Sequence, residues 1–165
     1  DLGTTPWQLM DSGVQKSSLY GKYYQGGLII YIDEINQTGM VITDFIVRSS
    51  VCLPTSVDMD YNTSAAVGSG MSNSTSIGSD WYYGTLFCLN LVYQGYDDWF
   101  LPSTGELVLA FQNIPGFSGK YWSSTQALSY CQCYNTMYFV NQNGFEGNVY
   151  QSSCSPDIRA VRVFD

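Results

Sequence analysis

The chain has 165 residues, enough for one domain and short for two, and its 45% hydrophobic share can fill a core. Charged residues are only 12%, and six cations against fourteen anions leave a net charge of −8 with no basic stripe, which excludes electrostatic binding to nucleic acid or to an anionic membrane. There is no histidine, which excludes Ser-His-Asp and Cys-His catalysis, His-ligated zinc and histidine pH switches.

No apolar run reaches the roughly eighteen residues of a membrane span, so no membrane insertion is expected. The first residue is Asp1 rather than Met, which points to a trimmed chain or the C-terminal part of a longer protein. Five cysteines (Cys52, Cys88, Cys131, Cys133, Cys154) are an odd number without a Cys-x-x-Cys pair. A buried Cys88 and several free thiols, made in a reducing compartment, are expected rather than a disulfide scaffold or a zinc knuckle. The Asn-x-Ser/Thr sites at Asn36, Asn62 and Asn73 would matter only in a eukaryotic secretory protein.

Residues 1–21 show no clear periodicity and read as a lead-in segment, either a linker or a docking piece, ahead of a domain over 22–165. Structure begins at Gly26-Gly27, where Leu28 to Ile32 is short, β-branched and glycine-bounded, the pattern of a buried strand. Asp33 to Gly39 is turn material, and Met40-Val41-Ile42 returns as the second strand of a hairpin. Residues 61–79 carry no charge and read as a long loop over the core, with room for one helical turn. Asp80 is the expected cap of a helix through Tyr93, with Tyr82, Leu86, Leu89 and Val92 or their neighbours on its inner face.

Ser103-Thr104-Gly105-Glu106 has the form of a capping box, in which two side chains satisfy each other's free amides. It predicts a helix from Thr104 to about Asn113, with Leu107, Ala110 and Phe111 inward and Pro115-Gly116 as the stop. Beyond Tyr121-Trp122 the pattern is β. Met137 to Val140 is a strand, Asn143-Gly144 a hairpin turn, and Val149-Tyr150 the return. Ile158 to Phe164 alternates as a closing strand, with Ile158, Ala160, Arg162 and Phe164 on one face and Arg159, Val161 and Val163 on the other. One arginine must therefore face inward or along an interface, where it needs a carboxylate partner.

Four separated pieces resemble one family: Tyr24 to Asp33, Gly95 to Ser103 with Glu106-Leu107, Tyr121-Trp122-Ser123-Ser124, and Arg159 to Phe164. Together they look like the DUF1566 (Lcl C-terminal) domain, a C-type-lectin-like fold of bacterial surface and phage proteins. The resemblance implies an α+β fold of small twisted antiparallel sheets with two short helices, in which the N- and C-terminal strands pair. It makes Trp99 and Trp122 core residues and explains Asp98-Trp99 as structural. A subset of this fold class serves as variable proteins of diversity-generating retroelements, where adenine-directed mutagenesis turns AAC codons into NNC codons and the altered side chains bind ligand. In this sequence the corresponding surface would comprise Ser129, Tyr130, Cys131, Cys133, Tyr134, Asn135, Asn141, Asn143, Asn148, Tyr150, Ser152, Ser153 and Cys154, all of NNC-accessible types. Gln126, Gln132, Glu146 and Gln151 are not, and would be fixed framework or products of other codons. Tyr, Ser and Asn are also the residues of antibody paratopes, combining rigid contact area with adaptable hydrogen bonding.

The expectation is a non-enzymatic receptor-binding or adhesive module on a phage tail or bacterial surface, made in the cytoplasm, with a host-cell surface protein or glycan as partner. A homotrimer is one assembly open to it within a full-length fibre. No cofactor, metal or nucleic acid is expected. The alternatives are a relative of the formylglycine-generating oxidases, for which Cys131 and Cys133 are the only close thiol pair, and a structural assembly domain without ligand.

Overall fold

The computed structural model describes residues 2–47, 61–78, 83–127, 136–141, 143, 146–148 and 156–165. In chain order the elements are α1 (Pro6–Asp11), β1 (Tyr23–Tyr24), β2 (Gly27–Asp33), β3 (Thr38–Ile42), α2 (Gly70–Ile77), α3 (Tyr83–Leu89), α4 (Thr104–Asn113), β4 (Lys120–Ala127), β5 (Thr136–Asn141), β6 (Glu146–Asn148) and β7 (Val161–Phe164). They form an α+β structure with one antiparallel sheet in the order β1-β2-β3-β7 and a second in the order β4-β5-β6. The described α-helices number four rather than two.

The lead-in segment is docked. Thr5 Oγ1 accepts the Gln8 amide and Gln8 Oε1 accepts the Thr5 amide, a capping box with Pro6 at the first helical position that starts α1. Leu2, Trp7, Leu9, Met10 and Val14 pack on the core, with the Trp7 ring 6.0 Å from that of Phe164.

β1 and β2 are joined by Gln25 and Gly26 at φ of 42° and 90°, the positive pair that a tight type I′ hairpin turn requires. The β2–β3 hairpin is as expected, and its turn is tied by Asp33 Oδ1, which accepts the amides of Ile35 and Asn36. Strand alternation buries Ile29 in one core cluster and Ile30 in the other, and a bulge between Ile29 and Tyr31 shifts the parity so that Ile32 rejoins the cluster of Ile29. The closing strand β7 pairs with β3 over Gly39↔Phe164 to Ile42↔Val161, so the C-terminal strand joins the second strand of the opening hairpin and not its first.

Two core clusters result. The first holds Ile29, Val41, Cys88, Trp99, Leu101, Trp122, Ile158, Ala160 and Phe164, and the second Ile30, Ile42, Phe100, Leu107, Ala110, Tyr121, Val140 and Val161. Trp99 and Trp122 are core residues, and the alternation expected of residues 158–164 is present.

Two helices differ from expectation. α2 gives residues 61–78 eight helical residues rather than a single turn, although Gly, Ser and Asn are poor helix formers. Its buried side chains explain this, because Ser74 Oγ both donates to the Leu101 carbonyl and accepts the Leu101 amide, so tertiary bonds outweigh local preference. α3 ends at Leu89 and buries Gly84, Thr85 and Cys88, while Leu86 and Val92 are exposed. Small residues let the helix approach the core there, which an apolar-periodicity argument cannot see. Asp80 and Tyr82 lie outside the described residues. α4 runs over the expected residues with its capping box formed.

Candidate functional site

The predicted contact residues belong to the β4–β5–β6 sheet and its connections. β4 pairs antiparallel with β5 from Lys120↔Asn141 at one end to Ala127↔Thr136 at the other, and β6 pairs with β5 from Val140↔Glu146 to Tyr138↔Asn148. The chain thus leaves β4 at Ala127 and enters β5 at Thr136, and it leaves β6 at Asn148 running toward that same end. Connection 128–135 therefore begins and ends at that end of the sheet, whereas 149–155 leaves from it and is rejoined at the opposite end, where Asp157 bonds Lys120 and Trp122 of β4.

Ser129, Tyr130, Cys131, Cys133, Tyr134, Asn135, Tyr150, Ser152, Ser153 and Cys154 lie outside the described residues. Of the three predicted contact residues that are described, Asn148 stands toward the Ala127–Thr136 end. Asn141 pairs with Lys120 at the opposite end, and exposed Asn143 follows it, its amide donating to Asn141 Oδ1 at 2.9 Å. The three do not form one cluster. At about 3.4 Å per residue, Asn141 is roughly 10 Å along β5 from the position opposite Asn148.

What holds the Ala127–Thr136 end is a polar seam. Ser123, Ser124, Thr125 and Gln126 of β4 are all buried; Ser123 Oγ accepts the Thr125 amide, and the other three find partners in residues 61–73 and 102–104. Gln126 Oε1 accepts the Tyr61 amide at 2.9 Å, and the Gln126 amide donates to Thr63 Oγ1 at 2.7 Å. Asn73 Oδ1 accepts the Ser64 amide at 2.9 Å, while Asn73 Nδ2 donates to the Ser64 carbonyl at 2.7 Å and to Ser124 Oγ at 3.3 Å. Thr125 Oγ1 accepts the Thr104 amide at 3.0 Å, and the Ser124 amide donates to the Pro102 carbonyl at 2.7 Å. Gln126 is a buried, bonded scaffold residue. Buried polar groups satisfied in this way fix one arrangement of the backbone, because any shift strands donors away from water.

Glu106 extends the seam. Its carboxylate is fully buried, yet Oε1 accepts the Gly68 and Gly70 amides at 2.9 and 3.1 Å, and Oε2 accepts the Ser103 amide at 2.9 Å. Burial pushes this carboxyl above the usual carboxylate range, against the opposing pull of the amide donors. The capping box that starts α4 therefore also clamps the 61–70 segment, a second role that the Ser-x-x-Glu spacing does not reveal. Gly105 permits the clamp, since a Cβ there would stand 2.6 Å from the Ala65 carbonyl oxygen.

The two C-terminal arginines divide as the closing strand required. Arg162 is buried and meets Asp98 through Nε–Oδ1 at 2.6 Å and Nη2–Oδ2 at 3.0 Å. Its Nη1 donates to the Gln25 carbonyl and to Gln25 Oε1, and its guanidinium lies 3.8 Å over the Tyr96 ring. Asp98 is thus a structural carboxylate. Arg159 donates from Nη1 to the Thr43 carbonyl at 2.8 Å and lies over the Phe117 and Tyr121 rings.

Cys88 is buried in the first core cluster, and burial pushes its thiol well above the ordinary range, which makes it a packing residue. Among the described residues no group of three or more His, Cys, Asp or Glu side chains could hold a metal ion, and no helix is long and apolar enough to cross a membrane. No protein-family model and no curated protein matches the chain.

Proposed function

We propose that the chain is a binding module of a phage tail or bacterial surface protein, C-type-lectin-like in arrangement, whose contact residues lie in the 128–135 and 149–155 connections and on β6. The observation that carries this reading is topological. Connection 128–135 begins and ends at the Ala127–Thr136 end of the β4–β5–β6 sheet, connection 149–155 departs toward that end, and a satisfied polar seam holds the adjoining stretch of β4. Such a scaffold keeps its shape while side chains in the connections change, which is what a recognition surface needs and what codon-directed diversification would exploit. Preorganised backbone also lowers the entropy lost on binding.

The test replaces Tyr130, Tyr134, Asn135, Asn148 and Tyr150 together with alanine. The variant should keep its circular dichroism and unfolding midpoint and lose labelling of bacterial strains or of a glycan array that the parent labels. Unfolding of the variant, or labelling equal to the parent, would show that the contact surface lies elsewhere. Diversification has its own test in the coding DNA. The codons for Tyr130, Cys131, Cys133, Tyr134, Asn135, Tyr150 and Cys154 should align with AAY codons of a template copy beside a reverse-transcriptase gene. A template differing mainly at bases other than adenine removes that part of the proposal.

A further inference from the structure

We propose that residues 61–67, together with Met71 on α2, form a fixed and uncharged half of the contact surface, and that it fits an uncharged patch on a protein partner. The inference rests on the binding-module reading. It begins from charge. The two longest stretches of sequence without Asp, Glu, Lys or Arg are 121–145 and 61–79. The fold sets them side by side, through Tyr61 and Thr63 on Gln126 and Asn73 on Ser124. In a chain of net charge −8, that juxtaposition brings the uncharged side chains of 61–67 alongside the uncharged end of β4 from which residue 128 departs.

The segment is also rigid. The Tyr61, Ser64 and Gly68 amides donate to Gln126, Asn73 and Glu106, and the Ala65 and Ala66 carbonyls accept from the Gly105 amide and Ser103 Oγ. Its backbone is spent on anchoring, so what it offers outward is side chains: Asn62, Ser64, Ala65, Ala66 and Val67 are all exposed. Val67 and Met71 are 44% and 38% exposed, apolar groups beside the polar Asn62 and Ser64. An apolar centre with a neutral polar margin is the anatomy of a protein–protein contact. A rigid ledge also loses little conformational entropy on binding.

Charge insertion tests this, with the strain that the parent labels most strongly as the probe, read by flow cytometry. Against an uncharged partner patch, a cation and an anion are equally unwelcome, because either must be desolvated without a counter-charge. Ala65→Arg and Ala65→Glu should each weaken labelling at least tenfold while keeping the parent's unfolding midpoint, and Ile35→Arg on the β2–β3 turn should leave labelling unchanged. Parent labelling should vary little between low and high salt and should vanish after the cells are treated with protease. If both Ala65 variants label like the parent while the five-alanine variant does not, the ledge is refuted and the binding module stands. Opposite effects of Arg and Glu would overturn the uncharged patch, and labelling that survives protease but not periodate would replace the protein partner with a glycan. A parent that labels no strain overturns both readings.

Discussion

Asn73 is the side chain through which the seam can be tested most sharply. It is 3% exposed and makes three bonds, accepting from the Ser64 amide and donating to the Ser64 carbonyl and Ser124 Oγ. Asn73→Ala removes all three. The Ser64 carbonyl keeps donors in Thr125 Oγ1 and Ser69 Oγ, but the Ser64 amide loses its acceptor. The two bonds that nothing replaces, to the Ser64 amide and Ser124 Oγ, at about 1 kcal/mol each, plus about 1 kcal/mol for the partly buried amide left unpaired, sum to about 3 kcal/mol, or roughly 6–12 °C in melting temperature for a chain of this size. Asn73→Asp should be worse at neutral pH. It keeps the acceptor for the Ser64 amide but sets a buried carboxylate oxygen against a carbonyl and should cost about 1–2 kcal/mol more. The sign with pH follows. That carboxyl is held above its unfolded value, so the deficit should shrink as pH falls and protonation restores a donor toward the Ser64 carbonyl. Urea unfolding at neutral and acidic pH measures both variants. An alanine variant within about 0.5 kcal/mol of the parent, or an aspartate variant no worse than alanine at neutral pH, would refute the bonded seam.

Asp98→Ala leaves Arg162 without its carboxylate; because Asp98 is 45% exposed and the Gln25 acceptors remain, a loss of about 2 kcal/mol is expected by urea unfolding, and no loss would mean that the pair is ornamental. Gly105→Ala drives a methyl toward the Ala65 carbonyl and should cost about 1–3 kcal/mol, with faster exchange of the Gly68 amide as the local signature. Glu106 contributes stability that is present below the ordinary carboxylate range and lost as pH rises through its raised folded value, so the parent's advantage over Glu106→Gln should decline with rising pH; an advantage that grows would show the amide donors outweighing burial. Cys88 should resist thiol reagents until the chain unfolds, and rapid native labelling at Cys88 would contradict its burial.

The local signals were legible where two or three residues suffice. Ser103 and Glu106 announced α4, the β-branched run at 28–32 announced β2, and the alternation of residues 158–164 required the carboxylate that Arg162 finds in Asp98. Thr5-Pro6-Trp7-Gln8 carries the same type of capping signal as α4, and it marks the lead-in segment as structured. The seam was not legible. Asn73, Ser124, Thr125 and Gln126 are polar residues in runs of Ser, Thr and Asn, and nothing local separates a buried member from an exposed one. Their burial depends on partners 21 to 65 positions away, from Thr104 for Thr125 to Tyr61 for Gln126. The contact list met a related limit, since codon class groups Asn141 and Asn143 with Asn148, whereas strand register sets them at opposite ends of β5 and β6.

Those long sequence separations also set the order in which the molecule can assemble. The boxes at Thr5–Gln8 and Ser103–Glu106 close over three positions, but Tyr61–Gln126 and Thr63–Gln126 close over 65 and 63. Non-local closure is slow because chain entropy is lost before any bond is gained. Until it happens, residues 121–145, which contain no charge and no proline, have no partner in the seam. Such a segment is a template for intermolecular β-pairing. The native protein, at −8, repels its own copies, whereas the folding chain does not at this segment. Recovery on refolding should therefore fall steeply with protein concentration, even under conditions where the folded domain stays soluble.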